Sequence, residues 1–155
     1  MKVIILGAGE VGKGLAATLC MEKNDVVMVD IDEKLLEDLS ETLDIMTFAG
    51  NGAWPSTLNK IRVQEAQLFI AVTSYTETNI LACSVAKQLN NDIRTVARVG
   101  SPDFFPDDMD MDPRVLGIDH VVIPQVECTE AVLEVLNKPT MKELVHLSAP
   151  GAVIC

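Results

Sequence analysis

Short apolar runs alternate along the chain with stretches whose apolar residues recur at helical spacing. Val3–Leu6, Val26–Val29, Ile45–Phe48, Leu68–Val72, Arg94–Val99 and His120–Ile123 read as strands. Between them, Val11–Glu22, Glu33–Thr42, Thr76–Leu89 and Glu127–Leu136 read as helices. Leu35, Leu36, Leu39 and Leu43 form the apolar stripe of the second helix, and Ile80, Leu81, Val85 and Leu89 that of the helix after the fourth strand. Trp54-Pro55 opens a further short helix, because proline is favoured in a first helical turn. Residues 100–114 form an irregular acidic segment. Strand and helix alternating at this spacing predict an α/β domain with a doubly wound, parallel, six-stranded sheet and right-handed crossovers.

The composition fits that reading. Hydrophobic residues make up 48% of the 155 residues and aromatics only 4%, so the core is aliphatic. Strands buried on both faces want such side chains. The formal net charge of -11 repels nucleic-acid phosphates and anionic headgroups, which argues against nucleic acid and against a bare membrane as partners. No apolar run approaches the ~20 residues of a membrane span, so direct membrane insertion is not expected. Nor does the N-terminus read as a signal peptide: the apolar run after Lys2 stops at Gly7.

Cys20, Cys83, Cys128 and Cys155 are scattered and contain no Cys-x-x-Cys pair, which reads as buried free thiols in a reducing compartment. His120 and His146 are isolated, and no metal-ligand spacing occurs. The unit is expected to occupy residues 1–137. Residues 138–155, with Lys138-Pro139 and then the strand-like Val145–Leu147 and Ala152–Ile154, read as a linker and the start of a second, truncated lobe.

One motif carries chemistry. Gly7-Ala8-Gly9-Glu10-Val11-Gly12 matches G-x-G-x-x-G between a buried strand and a helix, the setting in which the pattern is informative. There Gly7 permits the tight turn, Gly9 lets backbone approach a pyrophosphate, and Gly12 lets helix and strand pack closely. The helix N-terminus, with Glu10 and Val11 in its first turn, offers N–H groups to phosphate. The sheet is therefore Rossmann-like. Asp30 stands eighteen residues past Gly12, at the end of the second strand, where a carboxylate meets an adenosine ribose, with Ile31 beside it. A carboxylate there repels a 2′-phosphate, which favours NAD over NADP. Asp32 is the better placed of the two acids to cap the helix from Glu33, leaving Asp30 for the ribose. Glu10 disfavours a terminal triphosphate more than a bridged diphosphate.

Gly50, Asn51 and Gly52 end the third strand and Thr73 and Ser74 the fourth, with Asn79 and Arg98 near the same edge. That edge is where open α/β sheets bind ligands. For Arg98 two readings stand: a phosphate partner, or a structural ion pair.

The segments Lys2–Gly12, Val27–Asp32, Ala49–Ala53, Ala71–Asn79, Ala97–Phe104 and Gly117–Pro124 occur in order. Together they closely resemble the N-terminal domain of Trk-type potassium uptake regulatory subunits (TrkA-like), within the RCK/KTN family. The resemblance covers about residues 1–137. It implies a cytoplasmic regulatory domain peripheral to the inner face of the membrane, self-associating as a dimer or tetramer beneath a membrane potassium transporter subunit. It implies NAD(H) as ligand, with ATP or ADP competing, and ligand-dependent changes of shape that gate ion flow. Gly7, Gly9 and Gly12 would hold phosphates, Asp30 the ribose, and Asn51, Thr73, Asn79 and Arg98 would line the site. Gly100 departs from the basic residue that relatives often carry there.

Two further patterns bear on function. Residues 108–112 resemble the start of a calcium loop, but Pro113 stands where glycine is needed and Asp119 where glutamate is, so a solvated acidic loop is expected. An NAD-dependent oxidoreductase fragment lacking its substrate domain is the alternative function. Hydride transfer needs further groups to hold substrate and move a proton, and no such pairing is legible, so no catalytic residue is assigned.

Overall fold

The computed structural model describes residues 1–106 and 111–137. The second lobe expected over 138–155, and most of the calcium-like stretch, lie outside the described residues. The elements are β1 (Lys2–Leu6), α1 (Glu10–Met21), β2 (Asp25–Asp30), α2 (Glu33–Thr42), β3 (Met46–Ala49), α3 (Pro55–Lys60), β4 (Leu68–Ala71), α4 (Thr76–Leu89), β5 (Arg94–Arg98), β6 (His120–Val122) and α5 (Pro124–Asn137). All six strands are parallel, in the order β3-β2-β1-β4-β5-β6.

That order follows from burial. Along β1, Ile4 and Leu6 face one core and Val3 and Ile5 the other, and all four are essentially inaccessible. The first core continues through Val27, Val29, Phe69 and Ala71 to Leu58 of α3, Ile61 at its C-cap, and Ala82, Cys83 and Ala86 of α4. The second joins Val26, Met28 and Ile70 to Ala16 of α1 and Leu36 and Leu39 of α2. Each fully buried Val, Leu or Ile contributes roughly 1.5–3 kcal/mol relative to exposure. A one-residue slip of any central strand would exchange its two apolar sets between the layers.

The chain moves outward from β1 to β3, then returns to place β4 on the other side of β1. Leu6 of β1 pairs with Val29 of β2 and Ala71 of β4. The loops after β1 and β4 therefore lead to opposite faces, and a crevice opens between them.

Three details differ from the sequence expectation. Helix α5 starts at Pro124, three residues early, because proline at the first helical position needs no N–H partner. The acidic segment holds two 3-10 turns, Pro102–Phe104 and Pro113–Leu116, each opened by an oxygen cap from Ser101 or Asp112. Residues 125–136 of α5 are exposed throughout, so Cys128 is not a buried thiol; Cys83 is buried and Cys20 half-buried. The apolar side chains of α5 do not reach the core.

Cys83 has a measurable consequence. Burial pushes its thiol up to about 12, aided by the charge of Asp119. Native Cys83 is therefore a thiol at ordinary pH, and thiolate is the reactive form. Its raised value gives stability that is complete below the unfolded-chain value near 9.0 and is lost as pH rises from there through about 12. At pH 8, alkylation of the native domain should label Cys128 quickly and Cys83 only at the rate of unfolding. Mass spectrometry showing equal labelling of both would contradict this packing.

Candidate nucleotide cleft

Leu6 ends β1, and Gly7 turns the chain at φ +108°, a conformation that L side chains rarely adopt. Its N–H donates to the Val29 carbonyl at 2.8 Å. A Cβ on Gly7 would stand 2.9 Å from the Thr73 backbone nitrogen. Gly9, at the N-cap of α1, is different: a Cβ there meets nothing within 4 Å. Gly12 faces inward, and a Cβ on it would collide with the Gly7 carbonyl oxygen. Gly7 and Gly12 are thus required by packing, whereas Gly9 faces open space. The N–H groups of the first turn of α1 have no preceding helical carbonyl to receive them.

Asp32 caps α2, accepting from the Lys34 and Leu35 N–H groups at 3.0 and 3.4 Å. Asp30 is not free, however. Its Oδ2 accepts the Ala8 N–H at 2.6 Å and its Oδ1 the Asp32 N–H at 2.9 Å. One carboxylate so ties the glycine loop to the end of β2. Each oxygen retains a further lone pair for a ligand hydroxyl.

On the opposite lip, Asn79 is fully buried. Its Oδ1 accepts from the Thr73 N–H and Oγ1 at 3.0 and 2.7 Å, and its Nδ2 donates to the carbonyls of Thr73 and Arg98 at 3.1 and 2.9 Å. Arg98 Nη1 donates to the same Thr73 carbonyl at 3.1 Å, while its Nε is buried with no acceptor among the described residues. Neither sequence reading of Arg98 describes this arrangement. Asn79 and Arg98 hold the end of β4 from behind.

Between the lips lies a cleft of about 590 Å³, within the size range of small-molecule sites. Of the sequence-predicted residues, Gly7, Gly9, Asp30, Ile31, Asn51, Gly52 and Thr73 line it. Six do not. Glu10 points to solvent, its side chain 96% exposed, and Val11 is exposed on the outer turn. Gly12 is buried beneath the loop. Gly50 donates its N–H to the Asp30 carbonyl at 2.7 Å, and Asn79 and Arg98 act as described.

Ser74, beside Thr73 at the same strand end, lines the cleft too, and so do Leu35, Tyr75 and Thr78, which spacing alone does not single out. Leu35 was read only as part of an apolar stripe. Tyr75 and Thr78 follow β4 closely, so their place at a strand's carboxyl end was the available signal. Ile31 and Leu35 offer apolar surface beside the Asp30 carboxylate.

Comparison with known proteins bears on the family and the fold. Residues 3–124 match the model of the TrkA-N domain. The Trk system potassium uptake protein trkA homolog 1 of Methanosarcina mazei is 37% identical over 146 residues, covering 90% of this chain and 35% of that protein. The chain thus spans about a third of that relative's length.

Among solved structures, the TrkA-N domain of the inner membrane protein ybaL from Escherichia coli shares the fold. Its TM-score is 0.77 at 21% identity, covering 87% of this chain and 96% of that one. The GsuK channel bound to NAD superposes with a TM-score of 0.67 at 21% identity, covering 79% of this chain and 21% of that one. The match to GsuK bound to ADP has the same score and identity, covering 79% of this chain and 31% of that one. With its single Rossmann-like sheet covered by helices on both faces and a family match across most of its length, the chain belongs to the TrkA-N domain family.

Proposed function

We propose that the domain is a regulatory module of potassium uptake that binds NAD(H) in the cleft between β1 and β4, with ADP or ATP competing for the same place. The observation that carries this reading is the meeting of the open Gly9 turn and the Asp30 carboxylate in one cleft. In this reading the pyrophosphate sits at the N-terminus of α1. The adenosine ribose bonds to Asp30, and the adenine rests against Ile31 and Leu35.

The partner is a membrane potassium transporter subunit, as the name of the Methanosarcina mazei relative suggests, and the place is the cytoplasmic face of the membrane. No helix among the described residues is long and apolar enough to cross a membrane. Self-association as a dimer or tetramer would use α5, whose Val132, Leu133, Val135 and Leu136 are exposed. Gating would follow from a ligand's different affinity for two shapes of the assembly; equal affinity for both would move nothing.

A regulator is favoured over the oxidoreductase reading by the cleft lining itself. Its titratable side chains are Asp30 and Tyr75, and Asp30 is bonded to two backbone N–H groups. That lining offers no evident relay for moving a proton to or from a substrate.

Calorimetric titration with NAD⁺, NADH and NADP⁺ tests the site. The wild type should take NAD⁺ and NADH and discriminate against NADP⁺. Asp30→Asn removes the charge and keeps one acceptor, for the Ala8 N–H of the loop, while its NH2 group faces the Asp32 N–H. It should bind NAD⁺ about tenfold more weakly, some 1.4 kcal/mol, and lose much of its bias against NADP⁺. Binding of NADP⁺ equal to NAD⁺ in the wild type would sink the ribose assignment.

A further inference from the structure

We propose that the cleft ranks adenine nucleotides by charge, accepting an esterified pyrophosphate readily and penalising each free terminal phosphate, and that Ser74 is a position from which this ranking can be reversed. This rests on the nucleotide reading above and adds a rule for choosing among ligands of that site.

Among the described residues that line the cleft, Asp30 is the one charged side chain, and no lysine or arginine joins it. The cations of neighbouring elements stand outside this lining. Lys13 lies 4.0 Å from Glu10, and Arg98 spends Nη1 on the Thr73 carbonyl. The loop's donors are therefore neutral backbone N–H groups. Two of these are already used, Gly7 on Val29 and Ala8 on Asp30. Thr73 cannot add its N–H, which goes to Asn79.

Neutral donors satisfy phosphate oxygens without cancelling their charge. A dinucleotide or ADP-ribose carries its pyrophosphate as a diester, with a single ionised oxygen per phosphorus. ADP and ATP end in a monoester phosphate with more charge on the last phosphorus. That charge must be held beside Asp30, near the exposed Glu10, on a protein of net charge -11. At separations near 8 Å and an intermediate dielectric, each unneutralised charge weakens binding roughly fivefold. Salt screens such repulsion, so the affinity for ATP should rise with ionic strength, opposite to a site that captures phosphate with cations.

Ser74 lines the cleft, is exposed, and stands at the strand end facing the glycine loop. Ser74→Lys would supply the missing cation without disturbing a buried contact. Tyr75→Lys, at a side chain 67% exposed on the same lip, is a second placement.

The test is calorimetric titration of the whole chain with ADP-ribose, ADP and ATP, without magnesium, at about 50 and 300 mM salt. In the wild type ADP-ribose should bind tightest and ATP weakest, by at least fivefold from first to last, and ATP should gain affinity at the higher salt. In Ser74→Lys or Tyr75→Lys, ATP should improve about tenfold more than ADP-ribose, and its salt dependence should change sign. Wild-type ATP binding equal to or tighter than ADP-ribose, or weakened by salt, overturns the charge ranking while leaving the nucleotide site standing. Failure of all three to bind, with NAD⁺ also unbound, overturns the nucleotide reading and the ranking with it.

Discussion

Gly12→Ala is expected to destabilise the domain by about 3 kcal/mol, whereas Gly9→Ala, three residues away in the same motif, should change stability by less than about 1 kcal/mol. The difference lies in what a methyl group would meet. At Gly12 it runs into the Gly7 carbonyl oxygen, a backbone atom. Gly7 cannot readily yield, since it is held at φ +108° with the Thr73 backbone behind it. Alanine gains roughly 1 kcal/mol over glycine from helix propensity, which is too little to offset driving α1 off β1.

At Gly9 the methyl enters open space at an ordinary φ of -70°, and only a modest loss of N-cap preference is expected. The same methyl would stand at the mouth of the cleft, where phosphate would approach. Gly9→Ala should therefore keep its denaturation midpoint and lose nucleotide affinity by tenfold or more. Denaturant titration paired with calorimetry separates the two effects. Wild-type affinity in Gly9→Ala would falsify the placement of phosphate at this turn, and a wild-type midpoint in Gly12→Ala would overturn the close contact between loop and helix.

Asn79→Ala should cost about 3–4 kcal/mol. The side chain makes hydrogen bonds to the Thr73 N–H, hydroxyl and carbonyl and to the Arg98 carbonyl, all in a fully buried setting. Alanine strands the Thr73 N–H and leaves a small void, and each unsatisfied buried group costs roughly 1–3 kcal/mol. Asn79→Asp is the sharper probe. It preserves the acceptor oxygen but turns a carboxylate oxygen toward two carbonyls, so it should be no better than alanine. Thermal unfolding measures both. A loss below about 1 kcal/mol in Asn79→Ala would mean that water replaces the amide. Because Thr73 lines the cleft, the variant should also bind nucleotide more weakly wherever it remains folded.

These two sites show where sequence reading succeeds and where it stops. Asn79 was read as a ligand-lining residue because it lies near the strand ends, and spacing cannot say which way a helical side chain faces at the end of a sheet. Once α4 packs across β4 and β5, the amide points into the protein and becomes a brace. Arg98 met the same limit. So did Asp30, whose spacing from Gly12 marks the strand end correctly but does not reveal that both its oxygens already bind backbone. Ser74, Tyr75 and Thr78 enter the cleft because β4 returns to lie beside β1, a contact between segments 65 residues apart, as Leu6 with Ala71.

The local pattern of this chain determined its elements, because helical and strand periodicities and the turn chemistry of glycine and proline act over a few residues. It also determined the parallel sheet with helices on both sides, since strands apolar on both faces need helices over each. The tertiary structure alone decided which polar groups of the cleft remain available. Hydrogen-bond partners such as Asp30 with Ala8, or Asn79 with Arg98, are chosen by where the packed layers bring distant backbones together. A buried donor or acceptor takes whichever partner that packing supplies.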